Sequence, residues 1–159
     1  MKLFHLAATA LVVVATTHIT HAQTMSYGPS ITLEMAKKAA APAIAEARKN
    51  NWLMAVAIVD PAGDLVYFEK MDETQVASTV IAIDKARSAA RLKRPTKALQ
   101  DALTATPDGI RLLALTGAVP VDGGVPLVVG GKIVGAIGAS GGTSAQDGQV
   151  AAAGVAALK

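Results

Sequence analysis

Apolar and polar positions follow two different periods along the chain. Thr32 to Lys49 is alanine-rich, with Leu33, Ala36, Ala40, Ile44 and Ala47 near helical spacing. Thr32 suits an N-cap, Glu34 the first turn, and Arg48 and Lys49 the last; Pro42 is expected to kink the helix. Leu53 to Val59 is an unbroken apolar run, the pattern of a strand buried on both faces. Asp60 to Asp64 has the residues of a tight turn, and Leu65 to Met71 reads as the returning strand of a hairpin. A second helix is predicted over Gln75 to Lys93, with Val76, Val80, Ile83, Ala86 and Ala90 on one side. Pro95 stops it, and Thr96 to Leu103 forms another short helical piece. Within Thr106 to Val121 the pattern is ambiguous: Leu112 to Leu115 reads as strand or short helix. Gly123 to Val129 is a strand entered through a double glycine. Gly130-Gly131 is a two-residue hairpin signal, and Lys132 to Ser140 is the partner strand. Gly135 and Gly138 within that strand imply close approach of another backbone or a ligand. Thr143 or Ser144 caps a last helix from Ala145 to about Leu158.

Hairpins rather than β-α-β alternation imply an α+β domain, with about five antiparallel strands and helices packed on the sheet. This domain is assigned to residues 31–159, after a polar arm of residues 23–30 expected to be loose.

Residues 1–22 follow a different rule. Lys2 precedes an uncharged, mostly apolar run from Leu6 to Thr16, and small residues occupy Thr20 and Ala22. A basic start, a short apolar core and a small-x-small site define a cleavable secretory signal. The run is shorter than the roughly 20 residues that span a bilayer, and no lipoprotein cysteine follows it. The expectation is a periplasmic or secreted protein of about 137 residues without a stable membrane anchor.

Composition narrows the chemistry. The chain has 15 basic and 12 acidic residues; cleavage takes only Lys2, leaving 14 against 12, a charge of +2. So mild an excess, with aromatics at 3%, argues against nucleic acid as a partner. The chain has no cysteine, and its three histidines, His5, His18 and His21, all lie in the signal segment. The mature sequence therefore carries no Ser-His-Asp triad, Cys-His pair or conventional zinc set.

Two groups of residues carry a likeness to known proteins. Val59-Asp60-Pro61-Ala62-Gly63-Asp64-Leu65-Val66, with Met71-Asp72 and Ile83 to Ala89, resembles the first half of the GlcG/HbpS family of haem-binding proteins. Gly123-Gly124-Val125-Pro126-Leu127, with Gly135 to Gly142 and Gln146-Asp147, resembles its second half. The resemblance spans about residues 31–158. It implies a profilin-like or PAS-like domain, a five-stranded antiparallel sheet flanked by helices, and assembly into homo-oligomers. It also implies binding of haem or related tetrapyrroles; some members degrade haem, and some exported ones are partners of sensor kinases.

Each candidate site residue has a plain reading beside a functional one. Gly123 and Gly124 ahead of Pro126 form either a strained strand entry or an anion nest. Ser140 and Gly141 lead into the N-terminus of the last helix, a place for ordinary capping or for an anion. Asp147 matches the helix dipole or contacts ligand. Lys85 matches a lysine of the family pattern and is a partner for an acidic ligand group. Arg87, Arg91, Lys93, Arg94 and Lys97 make a basic stretch, read as a solvated helix end or as a surface for propionates. For iron, only Met25, Met35, Met54, Met71, Tyr27 and Tyr67 remain as protein ligands of the usual kinds. Met71, at a strand end beside Asp72, is the candidate; a weak oxygen ligand or none is the alternative.

Three functions follow. The first is an exported small-ligand binder, for haem or a related tetrapyrrole, acting as carrier, scavenger or sensor accessory. The second is an enzyme acting on a small organic acid or degrading haem, with Lys85 and Asp147 as its acid–base groups. The third is a structural oligomer with a vestigial pocket.

Overall fold

The computed structural model describes residues 25–158. The predicted signal segment lies outside them. Helix α1 spans Leu33–Lys49, and the Thr32 side chain accepts from the Met35 N–H as its cap. The helix continues through Pro42 as one element. Strands β1 (Ala55–Val59) and β2 (Leu65–Lys70) form the first hairpin. In its turn Asp60 Oδ1 accepts from the Gly63 and Asp64 N–H groups, both at 2.9 Å. Helices α2 (Ser78–Leu92) and α3 (Thr96–Ala105) follow. The ambiguous segment resolves as a 3-10 helix, Pro107–Ala114, with no buried residue. Strands β3 (Gly124–Val129) and β4 (Lys132–Ser140) make the second hairpin through Gly130-Gly131, both at positive φ. Helix α4, Ser144–Ala156, closes the chain behind a Thr143–Gln146 capping box.

Among the described residues the sheet has four strands in the order β2-β1-β4-β3, all neighbours antiparallel. The count falls one short of the expected five because the segment before β3 turns into the 3-10 helix instead of pairing. The arm expected to be loose is docked on β4: Ile133 N–H donates to Ser26 O at 2.9 Å, and Gly28 and Ile31 N–H groups donate to Ile133 and Val134 carbonyls. Its Tyr27 hydroxyl donates to the Ala90 carbonyl of α2 at 3.0 Å.

The two faces of the sheet differ in kind. Val56, Ile58, Leu127 and Ile137 pack against α1 and α4 in the main core. On the other face Ala55, Ala57, Val59 and Ala136 meet Ala82, Ala86, Ala89 and Ala90 of α2. Side chains this small bring helix and sheet backbones close. At Gly138 a β-carbon would collide with the Ala82 carbonyl and lie 2.7 Å from the Ala86 nitrogen; at Gly135 it would collide with the Val59 carbonyl. Close approach, expected for both glycines, is what they provide.

The same packing overturns only part of the expected apolar face of α2: Ala86 and Ala90 are buried and Ile83 packs against the alanine cluster, but Val76 and Val80 do not join them. Its buried residues are Ser78, Ala82, Lys85, Ala86, Ser88, Ala89 and Ala90. Val76 and Val80 are 85% and 60% exposed. Where the helix sits closest to the sheet it presents alanine and serine, and Val76 and Val80 at its N-terminal end turn outward.

Candidate functional site

Lys85 lies in the middle of α2, on its buried face, and reaches past the entry of β3 to the far layer. Its Nζ donates to Asp147 Oδ2 at 2.6 Å and to the Ala139 carbonyl at 3.3 Å. The two side chains are 1% and 4% exposed. Asp147 occupies the first turn of α4, and its Oδ1 accepts from the Gly142 N–H at 3.0 Å. Burial pushes the Asp147 carboxyl up from its ordinary range, while Lys85 and the Gly142 and Gly141 N–H groups pull it down.

The double glycine makes room for this pair. At Gly123, with φ of +124°, a β-carbon would stand 2.9 Å from Lys85 Nζ and 2.8 Å from Asp147 Cβ. At Gly124 it would collide with the Lys85 carbonyl. Neither glycine N–H points at open space. Gly123 donates to Asp122 Oδ1 at 2.7 Å and Gly124 to Thr96 Oγ1 at 2.9 Å.

The sequence-predicted residues thus fall into one closed cluster. Lys85, Gly123, Gly124, Gly141 and Asp147 converge. Ser140 sits one step away, its hydroxyl donating to Ser78 Oγ at 3.3 Å, and Pro126 is buried in β3. The α4 N-terminus is likewise satisfied: Thr143 N–H donates to Gln146 Oε1, and Gln146 N–H to Thr143 Oγ1. Lys85, expected to face an acidic group of a ligand, faces Asp147. With Lys85 Nζ and the Gly123, Gly124 and Gly142 N–H groups all directed at protein acceptors, the cluster ties α2 and α4 together across the end of the sheet.

Open space lies elsewhere. A cleft of about 420 Å³ is lined by Asp84, Arg87 and Arg91 of α2 with Gly117 and Val119. Arg87 Nε donates to the Gly63 carbonyl at 3.0 Å and Arg91 Nε to the Ala62 carbonyl at 2.8 Å. The β1–β2 turn therefore holds both guanidinium groups in place. Gly63, at φ of +93°, is required there, since a β-carbon would lie 2.7 Å from Arg91 Nε. Apart from a 3.5 Å contact between Arg87 Nη1 and Asp84, the terminal nitrogens make no hydrogen bond among the described residues. Two positioned arginines with free N–H groups are suited to carboxylates. The basic stretch was visible in the sequence; its division was not. Lys93 lies over the Tyr27 ring at 4.3 Å, and Lys97 pairs with Asp101.

A smaller cleft, about 300 Å³, is lined by Arg48, Leu53, Glu69, Lys70, Met71 and Asp72. Met71 also packs against the main core. Among the described residues no three His, Cys, Asp or Glu side chains converge as a metal site.

Residues 31–156 match the family model described as haem degrading protein HbpS-like. Protein GlcG of Escherichia coli K12 is 38% identical over 109 residues, covering 67% of this chain and 78% of its own. The crystal structure of a double mutant of Streptomyces reticuli HbpS superposes with a TM-score of 0.75 at 30% identity, over 96% of this chain and 99% of the other. A PduOC:heme complex superposes with a TM-score of 0.73 at 25% identity, over 82% and 96%. An antiparallel α+β sheet entered through the Gly123-Gly124 step, the same fold in solved relatives and a match over nearly all the described residues together assign the chain to the HbpS-like family.

Proposed function

We propose that this chain is an exported binder of haem or a related tetrapyrrole, with Arg87 and Arg91 as the anchors for the ligand's carboxylates. The observation that carries this reading is the pair of turn-held arginines lining the 420 Å³ cleft. Ligand sites typically enclose about 300–1,000 Å³. Val80, Asp84, Arg87 and Arg91 recur at helical spacing on one face of α2. An exposed apolar position thus leads toward two cations, a surface for a flat apolar body with acidic edges.

The cleft suits the carboxylates of haem and holds none of the usual protein ligands of its iron. None of its lining residues is a histidine, cysteine, methionine or tyrosine. Family membership and the haem complex of a relative support the ligand class; export rests on the signal segment. A carrier or scavenger needs only reversible binding, and the closed Lys85–Asp147 pair leaves no exposed acid–base couple in the cluster. The outward-facing Val76 and Val80 favour assembly of copies of this chain, which light scattering on the purified protein measures; a monomer at all concentrations contradicts it. Mature protein from the exported fraction should begin at Gln23 by mass; an intact Met1 terminus there contradicts the signal reading.

The ligand test is titration with hemin followed by absorption. A saturable Soret change is expected for the native chain. Each charge-assisted hydrogen bond contributes about 1.5–3 kcal/mol, so Arg87→Gln with Arg91→Gln should weaken binding by at least roughly tenfold. Equal affinity in the variant, with circular dichroism unchanged, contradicts the assignment.

A further inference from the structure

We infer that this chain recognises its tetrapyrrole by carboxylates and apolar face and is indifferent to the metal at the centre. The inference rests on the tetrapyrrole reading above and narrows its ligand class to porphyrin carboxylates with or without iron.

Protein ligands to haem iron are ordinarily His, Cys, Met or Tyr. After His21 the sequence has no histidine, and it has no cysteine anywhere. The remaining candidates are committed elsewhere. Met54 is fully buried and Met35 packs against the same core. The Tyr27 hydroxyl lies 3.0 and 3.2 Å from the Ala90 and Arg91 carbonyls, and its ring sits under Lys93. The Tyr67 hydroxyl donates to Glu69 at 2.9 Å. Met25 lies on the docked arm and is not among the residues lining either cleft. Of these residues Met71 lines the smaller of the two clefts described, which is built on Arg48 of α1 and the end of β2 and shares no residue with the arginine cleft. A macrocycle anchored at Arg87 and Arg91 therefore meets Asp84, Gly117 and Val119 within the cleft, none of them one of the four usual ligand types, and Asp84 faces Arg87 at 3.5 Å. Its affinity has to come from charge-assisted hydrogen bonds to carboxylates and from apolar contact.

The test uses the full chain without an affinity histidine tag, titrated with hemin, metal-free protoporphyrin IX, zinc protoporphyrin and protoporphyrin dimethyl ester. The three acids should bind within about threefold of one another, and the ester at least roughly tenfold more weakly, the loss of one to two charge-assisted contacts. Bound hemin should show no spectrum of strong-field axial ligation. A hemin preference of tenfold or more overturns the inference, whether or not it survives His18→Ala and His21→Ala, and leaves the tetrapyrrole reading standing. Ester binding equal to the acids overturns the carboxylate anchor. If none of the four saturates, the reading of the protein as a tetrapyrrole binder fails with it.

Discussion

Lys85 of α2 and Asp147 of α4 meet at 2.6 Å across the end of the sheet, each almost wholly removed from solvent. The pair joins helices that lie on opposite faces. Removing one partner of such a pair leaves a buried charge uncompensated, which costs about 3–5 kcal/mol, whereas an apolar pair of similar volume is often neutral. Lys85→Met alone and Asp147→Leu alone should each lower stability by that order in urea denaturation. The double variant should recover most of the loss. Additive losses in the double variant would show that the two side chains do not act as a pair.

The closeness of α2 to the sheet predicts a position-specific glycine effect. At Gly138 a methyl group meets helix backbone, which cannot swing aside. Gly138→Ala should cost about 1–3 kcal/mol or more, as for overpacked cores. Gly130 has a positive φ, +56°, but nothing stands within 4 Å of its side-chain position. Gly130→Asn, a residue that accepts this conformation, should shift stability by less than about 0.5 kcal/mol. Thermal unfolding of the two variants checks the contrast; similar losses would contradict it.

Acid should loosen the α1–α4 layer through Glu46. Its carboxylate accepts from Gln149 Nε2 at 2.7 Å and from Asn50 Nδ2 at 2.9 Å. These two bonds, with Lys49 nearby, hold it below its ordinary 4.5. A depressed folded value contributes stability that is present above 4.5 and is lost as pH falls through the folded value. Asp147 acts in the opposite sense: its folded value is raised, so its contribution declines as pH rises through the window above 3.8. The difference in unfolding midpoint between the native chain and Glu46→Gln should therefore shrink on acidification. A difference that stays constant with pH would contradict the Glu46 account.

Much of the fold was legible because local chemistry and global packing agree. Thr32, the Asp60–Gly63 turn, Gly130-Gly131 and Thr143 each act where the sequence placed them. The outward face of α2 was not legible, since helical periodicity identifies an apolar stripe without saying how closely a glycine-bearing strand will approach. The candidate site divided in the same way. Lys85, the double glycine and Asp147 do converge, but a sequence cannot tell a lysine awaiting an anion from one already paired 62 residues along the chain. The cleft arginines were hidden in a basic stretch, because the turn carbonyls that hold them come from Ala62 and Gly63.

The most direct measurement is a crystal structure of the protein with protoporphyrin IX bound. The ligand's carboxylates are expected against Arg87 and Arg91, with Lys85 and Asp147 still paired. Carboxylates seated instead at Gly141–Thr143, with the Lys85–Asp147 pair opened toward them, would contradict the account.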